Sequence, residues 1–386
     1  MIFFIAFIFI IGILILVHEL GHFLIAKKAG VKVEEFAIGF PPTIWKRKRG
    51  ETIYSIGAIP IGGFVKLFGE EGLKKEERED PRSYYCKSPM VKIAIVSGGV
   101  ISNFLLASFI FYFLLFGGGY ASTVGAVFGL DSKYYFPFGR QENLIIISEV
   151  NKNSPAEKAG ITPNSQLITA NQKRFEDIEE FIEFIHQHKG EEVVLKLKEL
   201  DTEKEKTIKV VPRKSFPKKE GPLGIGLRKI MKIEYSSLSD KIFMGFLHSF
   251  NLTHFTFFGL GHLIKDSFTK KNIQPLASAV AGPVGILAVT KMSVEEGLFS
   301  LLNLLALLSL TLALINFFPI PALDGGRILF IGIEVLSGRK ISPQVENKIN
   351  LIGFILLIGL MILVTLKDIF QFGKFIFGMI FFSLIL

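Results

Sequence analysis

His18-Glu19-Leu20-Gly21-His22 interrupts an otherwise apolar N-terminal run, and that placement constrains the chain more than any other feature. Residues 2–17 carry no ionisable side chain. The pattern is H-E-x-x-H. On a helix, residues four apart share a face, so both imidazoles can reach one metal ion. Glu19, one step round, is placed beside that ion as a base rather than on it as a ligand. Ionisable groups at membrane depth cost several kcal/mol, so a cluster of them marks function. Two histidines snorkelling to an interface would account for either imidazole, but not for the carboxylate between them.

Composition agrees with a membrane setting. Of 386 residues, 49% are hydrophobic and 39 are Phe, which excludes an ordinary soluble enzyme. The expected fold is a polytopic α-helical membrane protein of about four transmembrane helices, with a membrane-associated β-loop and an inserted, mainly-β domain. The net charge of +9 fits basic loops that set orientation and meet anionic lipid of the bilayer. No nucleic-acid motif accompanies it, so no nucleic-acid partner is expected. Cys86 is the one cysteine, which excludes an intrachain disulfide and a thiolate metal site. The N-terminal run lacks a basic n-region and an evident small-residue cleavage site, so it reads as a retained membrane helix rather than a signal peptide.

Apolar spans are expected at about 2–26, 91–116, 298–318 and 349–366. The loop after the first carries Lys27, Lys28, Lys32, Lys46, Arg47, Lys48 and Arg49 against Glu34, Glu35 and Glu51, which puts it on the cytoplasmic side. Residues 52–69 are β-rich with Gly and Pro punctuation and read as a hairpin-like or re-entrant loop. Ser97-Gly98-Gly99 favours close helix packing in the second span, and Asn103 there reads as an interhelical hydrogen bond. Residues 120–235 are soluble in character, with short β runs at 166–170, 192–198 and 207–212 and an amphipathic helix at about 175–188. His186 and His188 on that helix are expected to be solvated. In 238–266, Phe side chains alternate with His248, Asn251, His254 and His262, which favours an amphipathic helix in the interface over a span. Residues 369–386 read as a further interfacial or short membrane helix. The implied divisions are 1–119, 120–235, 236–292 and 293–386.

The third span ends in Asn316-Phe-Phe-Pro-Ile-Pro-Ala-Leu-Asp-Gly-Gly-Arg327. Pro319 and Pro321 break the helix, and irregular backbone at this depth is tolerated only where protein or a wet cavity surrounds it. With loop 27–51 cytoplasmic, Asp324 emerges at the cytoplasmic end of its span, the depth already assigned to His18 and His22. Two motifs about 300 residues apart thus reach one level by topology alone. Two imidazoles and a carboxylate leave the fourth zinc position open, as catalytic sites require. The same ligand set also suits iron. Taken without the depth match, Asp324 is a turn residue before Gly325-Gly326.

With these residues in place the chain resembles the site-2 protease family, closest to the bacterial regulator-of-sigma-E protease type. The resemblance rests on His18-Glu-Leu-Gly-His22 in a first span, Asn316-x-x-Pro-x-Pro-x-Leu-Asp-Gly-Gly326 in a later one, and the insert between them. It implies one catalytic Zn2+ held by His18, His22 and Asp324, with Glu19 as the catalytic glutamate and Asn316 in substrate handling. It also implies that segment 52–69, through Gly62, Gly63 and Phe64, engages an extended substrate. The insert around 143–212 resembles a PDZ domain, most clearly at Asn153-Ser-Pro-Ala-Glu-Lys-Ala-Gly160, and such folds take peptide or protein C-termini by strand addition. Familiar relatives carry two such modules in tandem, and this chain has room for one.

The activity implied is an intramembrane zinc metalloprotease acting on single-span membrane proteins, as the second cut in regulated intramembrane proteolysis of anti-sigma-factor or remnant-signal-peptide substrates. It would sit in a bacterial inner membrane, with the active site toward the cytoplasm and the PDZ-like domain outside. Three rivals are distinguishable. An inactive client-binding relative would lack catalytic residues that are present here. A metal transporter would string polar residues across several spans. A PDZ scaffold would leave the intramembrane cluster unexplained.

Overall fold

A computed structural model describes residues 2–70, 75–125, 134–200, 202, 204–217, 220–339 and 341–385. Part of the 120–235 insert, residues 126–133, lies outside them. The elements in chain order are α1 (Ile2–Lys28), β1 (Val33–Arg49), β2 (Thr52–Leu67), α2 (Lys75–Glu79), α3 (Pro89–Gly117), β3 (Ala121–Gly125), β4 (Arg140–Val150), α4 (Pro155–Lys158), β5 (Ser165–Ala170), α5 (Ile178–Gln187), β6 (Val193–Glu199), β7 (Glu205–Val210), β8 (Ile225–Glu234), α6 (Leu238–Thr269), α7 (Gln274–Ala279), α8 (Pro283–Glu296), α9 (Leu298–Phe317), α10 (Asp324–Ser337) and α11 (Pro343–Ile385). The chain divides into two compact units. One comprises Met1–Leu114, Gly245–Thr253 and Ala277–Leu386, the other Leu115–Met244 and His254–Leu276.

Among the described residues four helices are long and apolar enough to cross a membrane: Ile2–Lys28, Pro89–Gly117, Leu298–Phe317 and Pro343–Phe370. They coincide with the four spans read from the sequence. α1 stops where Gly30, at φ 67°, turns the chain. Val31 N–H donates to Ala26 O and Gly30 N–H to Lys27 O, the paired bonds of a Schellman close, and Lys27 and Lys28 oppose the helix dipole. Ala26, Val31 and Val33 then pack with Leu67, Tyr84, Ile95, Val96 and Ile331 in one buried cluster.

α1 and α3 meet at glycines. A Cβ on Gly21 would run into Gly98 O, and one on Gly98 would lie 2.7 Å from Gly21 O. Small residues substitute here for the hydrophobic drive that lipid cannot provide. On the far side of α3, Ser108 Oγ and Ser249 Oγ of α6 are 3.0 Å apart, and Phe111 packs edge-on to His248. Burial pushes the His248 imidazole down to about 4, which keeps it neutral.

β1 and β2 pair antiparallel and turn at Gly50-Glu51, with Arg49 opposite Thr52. The ribbon bends back on itself. Residues 35–38 face residues 53–56 on one side and 63–66 on the other. Segment 63–67 is therefore an edge, with no further strand beside it among the described residues.

α8 runs across the division expected at 292/293, and α11 joins the span expected at about 349–366 to the segment 369–386. Asp368 of α11 is fully buried and accepts from Gly282 N–H and Gly285 N–H, both at 2.8 Å, capping the start of α8. α11 runs unbroken to Ile385, so the segment expected as a separate terminal helix continues the helix of the fourth span; its run after Asp368 is apolar apart from Gln371, Lys374 and Ser383. α6 is a single helix of 32 residues and is not among the four candidate spans.

The second unit is built on a six-stranded antiparallel sheet of order β3-β8-β4-β5-β6-β7. Alternate residues Ile145 and Ile147, and Val193, Leu195 and Leu197, enter one core with Phe181 and Ile185 of α5. Ser154 caps α4 by accepting Glu157 N–H at 3.1 Å. The β runs at 165–170, 193–199 and 205–210 and helix 178–187 fall where the sequence put them.

Gly98→Val forces a branched side chain against the α1 backbone. It is expected to cost roughly 1–3 kcal/mol, as overpacking does. Thermal denaturation in detergent checks this, with a lowered midpoint as the outcome.

Candidate metal centre

Four residues that the sequence singled out converge in the first unit. α1 presents His18 and His22 on one face, as the i, i+4 spacing requires. Their Nε2 atoms are 3.3 Å apart. Asp324 Oδ2 lies 3.2 Å from His18 Nε2 and 3.3 Å from His22 Nε2. Four-coordinate zinc with ligand bonds of about 2.0–2.1 Å sets ligand atoms about 3.3 Å apart, so the three distances match edges of one tetrahedron. Asp324 Oδ2 is buried, yet it makes no well-formed hydrogen bond. Burial alone would push the Asp324 carboxyl up, but the two imidazoles outweigh it and hold the group well below the usual carboxylate range, ionised. The donors and the space fit a small divalent cation.

Glycines make the convergence possible. A Cβ on Gly99 would lie 2.5 Å from His22 Nε2 and 2.6 Å from His18 Cε1, so α3 can pass this close only as Gly. After α9 ends at Phe317 the chain doubles under itself, and α10 restarts at Asp324. A Cβ on Gly325 would collide with the carbonyls of Phe317 and Phe318, and one on Gly326 with that of Ile320. Gly325-Gly326 therefore serve close backbone approach, and Asp324 occupies the first helical turn, where the dipole favours an anion.

A cavity of about 980 Å³ opens on this cluster. Glu19 lines it, as do Asn316 near the end of α9 and Gly63 and Phe64 on the β2 edge. Among the described residues the Asn316 side chain makes no hydrogen bond. Gly62 does not line the cavity. Its φ of 99° and the Phe40 ring against its Cα make it a backbone requirement of the ribbon instead.

Several lining residues were not legible as site residues. Arg327 pairs with Glu70, and the Glu70 carboxylate beside it keeps the guanidinium firmly charged. Tyr84 stands near this pair, its phenol pushed up by burial and so neutral. Only Arg327 had a signal, its place directly after Gly325-Gly326. Two contacts from α3 hold the imidazoles: His22 Nδ1 meets Ile95 O at 2.9 Å, and His18 Nδ1 meets the Asn103 amide at 3.3 Å. Asn103 does bridge helices, as its place in a span suggested, and its partner is a histidine of the cluster.

A cluster able to hold a metal ion, set among membrane-length helices under a cavity with a β edge, fits the class of membrane-embedded metallopeptidases. The profile of peptidase family M50 matches residues 6–360. The chain is 33% identical, over 92% of its own length and 95% of the relative's, to a Clostridium perfringens protein provisionally named a zinc metalloprotease. It is 28% identical to the zinc metalloprotease RasP of Geobacillus kaustophilus, over 95% of this chain and 98% of that one. It is 30% identical to the protease RseP of Yersinia pestis, over 94% and 97%. The chain belongs to peptidase family M50, the site-2 protease family, and is a membrane-embedded metalloprotease.

Gly99→Ala places a methyl group against both imidazoles. It is expected to lower the metal retained on purification by tenfold or more, at least the loss that removing an outer-shell partner brings. Metal analysis of the purified variant beside wild type checks this.

Proposed function

We propose that the chain is a zinc endopeptidase that cuts single-span membrane proteins within or next to their membrane helix. The observation that carries this reading is the convergence of His18, His22 and Asp324, from segments about 300 residues apart, to mutual distances of 3.2–3.3 Å beside an open cavity. His18 Nε2, His22 Nε2 and Asp324 Oδ2 would hold the ion. Bound there, zinc supplies Lewis acidity to a carbonyl and acidifies water. Zinc is favoured over iron by the tetrahedral spacing of the three atoms and by the relatives' names.

Glu19 is the base. It sits one residue from a ligand, lines the cavity and accepts no hydrogen bond among the described residues, so its carboxylate is free to take a proton from the attacking water and return it to the leaving amine. A peptide bond inside a helix is shielded by its own hydrogen bonds, so the substrate must unwind, and lipid offers no replacement partners. The free edge at 63–67 supports strand pairing with the unwound segment, with Gly63 and Phe64 beside the reacting bond. Asn316, its amide free in the cavity, would hold a substrate carbonyl.

The divisions 1–119, 120–235, 236–292 and 293–386 are proposed as the N-terminal membrane part, a PDZ-like module, interfacial helices and the C-terminal membrane part. Alignments to RasP and RseP run over 443 and 454 positions, longer than this chain, as expected if those relatives carry an added module. The single module here would take a peptide C-terminus. Basic loop 27–51 favours a cytoplasmic active site and an external module, in a bacterial inner membrane. A second cut on anti-sigma-factor or remnant-signal-peptide substrates fits the relatives called regulator of sigma-E protease.

The test is cleavage of a single-span helix in liposomes. Wild type should cut within the span and stop on chelation. Glu19→Gln should keep its zinc and lose about 10²–10⁴ in rate, the usual share of a general base. A Glu19→Gln variant that cuts at the wild-type rate removes Glu19 from the chemistry.

A further inference from the structure

The Asn103 amide is fully buried in α3, with its nitrogen 3.3 Å from His18 Nδ1, and Oδ1 is left without a partner. Simple helix-to-helix adhesion does not explain an amide aimed at this ring. His22 shows what the ring needs. Ile95 O can only accept, so His22 Nδ1 carries the proton and Nε2 keeps its lone pair. For His18 to offer Nε2 to the same ion, its Nδ1 must also donate. Of the two ends of the Asn103 amide, only Oδ1 can accept that proton. The ends have the same shape, so a half-turn of the amide brings Oδ1 to the ring in place of Nδ2. The same residue is pinned from the other side: Ser309 Oγ of α9 donates to Asn103 O at 2.8 Å. α9 is the helix that leads to Asp324. Asn103 thus stands where the segments carrying all three ligands meet.

We propose that Asn103 is a positioning residue of the metal centre: its side-chain oxygen accepts the His18 Nδ1–H and fixes Nε2 as a ligand. This rests on the metal reading above. Partners that orient a metal-bound histidine in this way are worth about 10- to 100-fold in metal affinity.

The experiment is a zinc titration of the full-length protein in detergent against a competing chelator, with the cobalt(II) visible spectrum as a second readout. Wild type should bind one zinc per chain. Asn103→Leu, close in size and without an acceptor, should bind about 10- to 100-fold more weakly and shift the cobalt bands. Asn103→Asp, which accepts but cannot donate, should stay within a few-fold of wild type. Ser309→Ala, which loosens the helices without touching the amide, should lower the thermal midpoint and leave zinc affinity unchanged. The proposal is overturned if Asn103→Leu binds as tightly as wild type, or if Ser309→Ala weakens zinc as much as Asn103→Leu does. It is also overturned if Asn103→Asp loses affinity tenfold or more, which would make the amide a donor; this arm decides the matter should Asn103→Leu fail to fold. A wild type that binds no zinc overturns the metal reading itself instead.

Discussion

Three side-chain atoms able to hold one cation, brought within 3.3 Å of one another inside an apolar bundle, are the constraint on which the rest of the structure depends. A lone carboxylate there would be expensive, and so would either imidazole in charged form. Together they offset one another, and a divalent cation would complete the balance. Any one of these groups placed alone would be a poorly paired polar side chain largely withdrawn from water. This accounts for the density of special backbone around it: Gly99 beneath the rings, and Gly325-Gly326 folded against the carbonyls that precede them.

The β ribbon answers a different problem at the same place. Helices satisfy their own backbone and offer nothing to an unwound guest, whereas an edge strand offers a row of donors and acceptors. Bending β1–β2 so that 35–38 pairs on both sides leaves 63–67 free and puts it on the wall of the cavity that Glu19 also lines. Under the proposed function, scissile chemistry and backbone recognition would thereby stand side by side, one on α1 and the other on β2.

Much of this was legible from residues alone. The four spans show as long apolar runs with few charged residues. His18 and His22 show through their spacing, and Asp324 through a depth argument that used only span counting and loop charge. The illegible part has a common physical character. The doubled pairing of residues 35–38, the Asp368 cap on α8 and the Glu70–Arg327 pair are contacts between distant segments, with no local periodicity to announce them. Gly62 shows the reverse. It lies beside Gly63 in a segment read as substrate-facing, yet the ribbon needs it for a φ of 99°, and pattern cannot separate a glycine needed for conformation from one needed for access.

Zinc X-ray absorption on the purified chain addresses the metal centre most directly. One zinc per chain, with two imidazole nitrogens and carboxylate oxygen at about 2.0–2.1 Å, is what the geometry requires, together with loss of the oxygen contribution in Asp324→Ala. A zinc shell that is unchanged by Asp324→Ala, or one without two imidazoles, would contradict it and place the ion elsewhere.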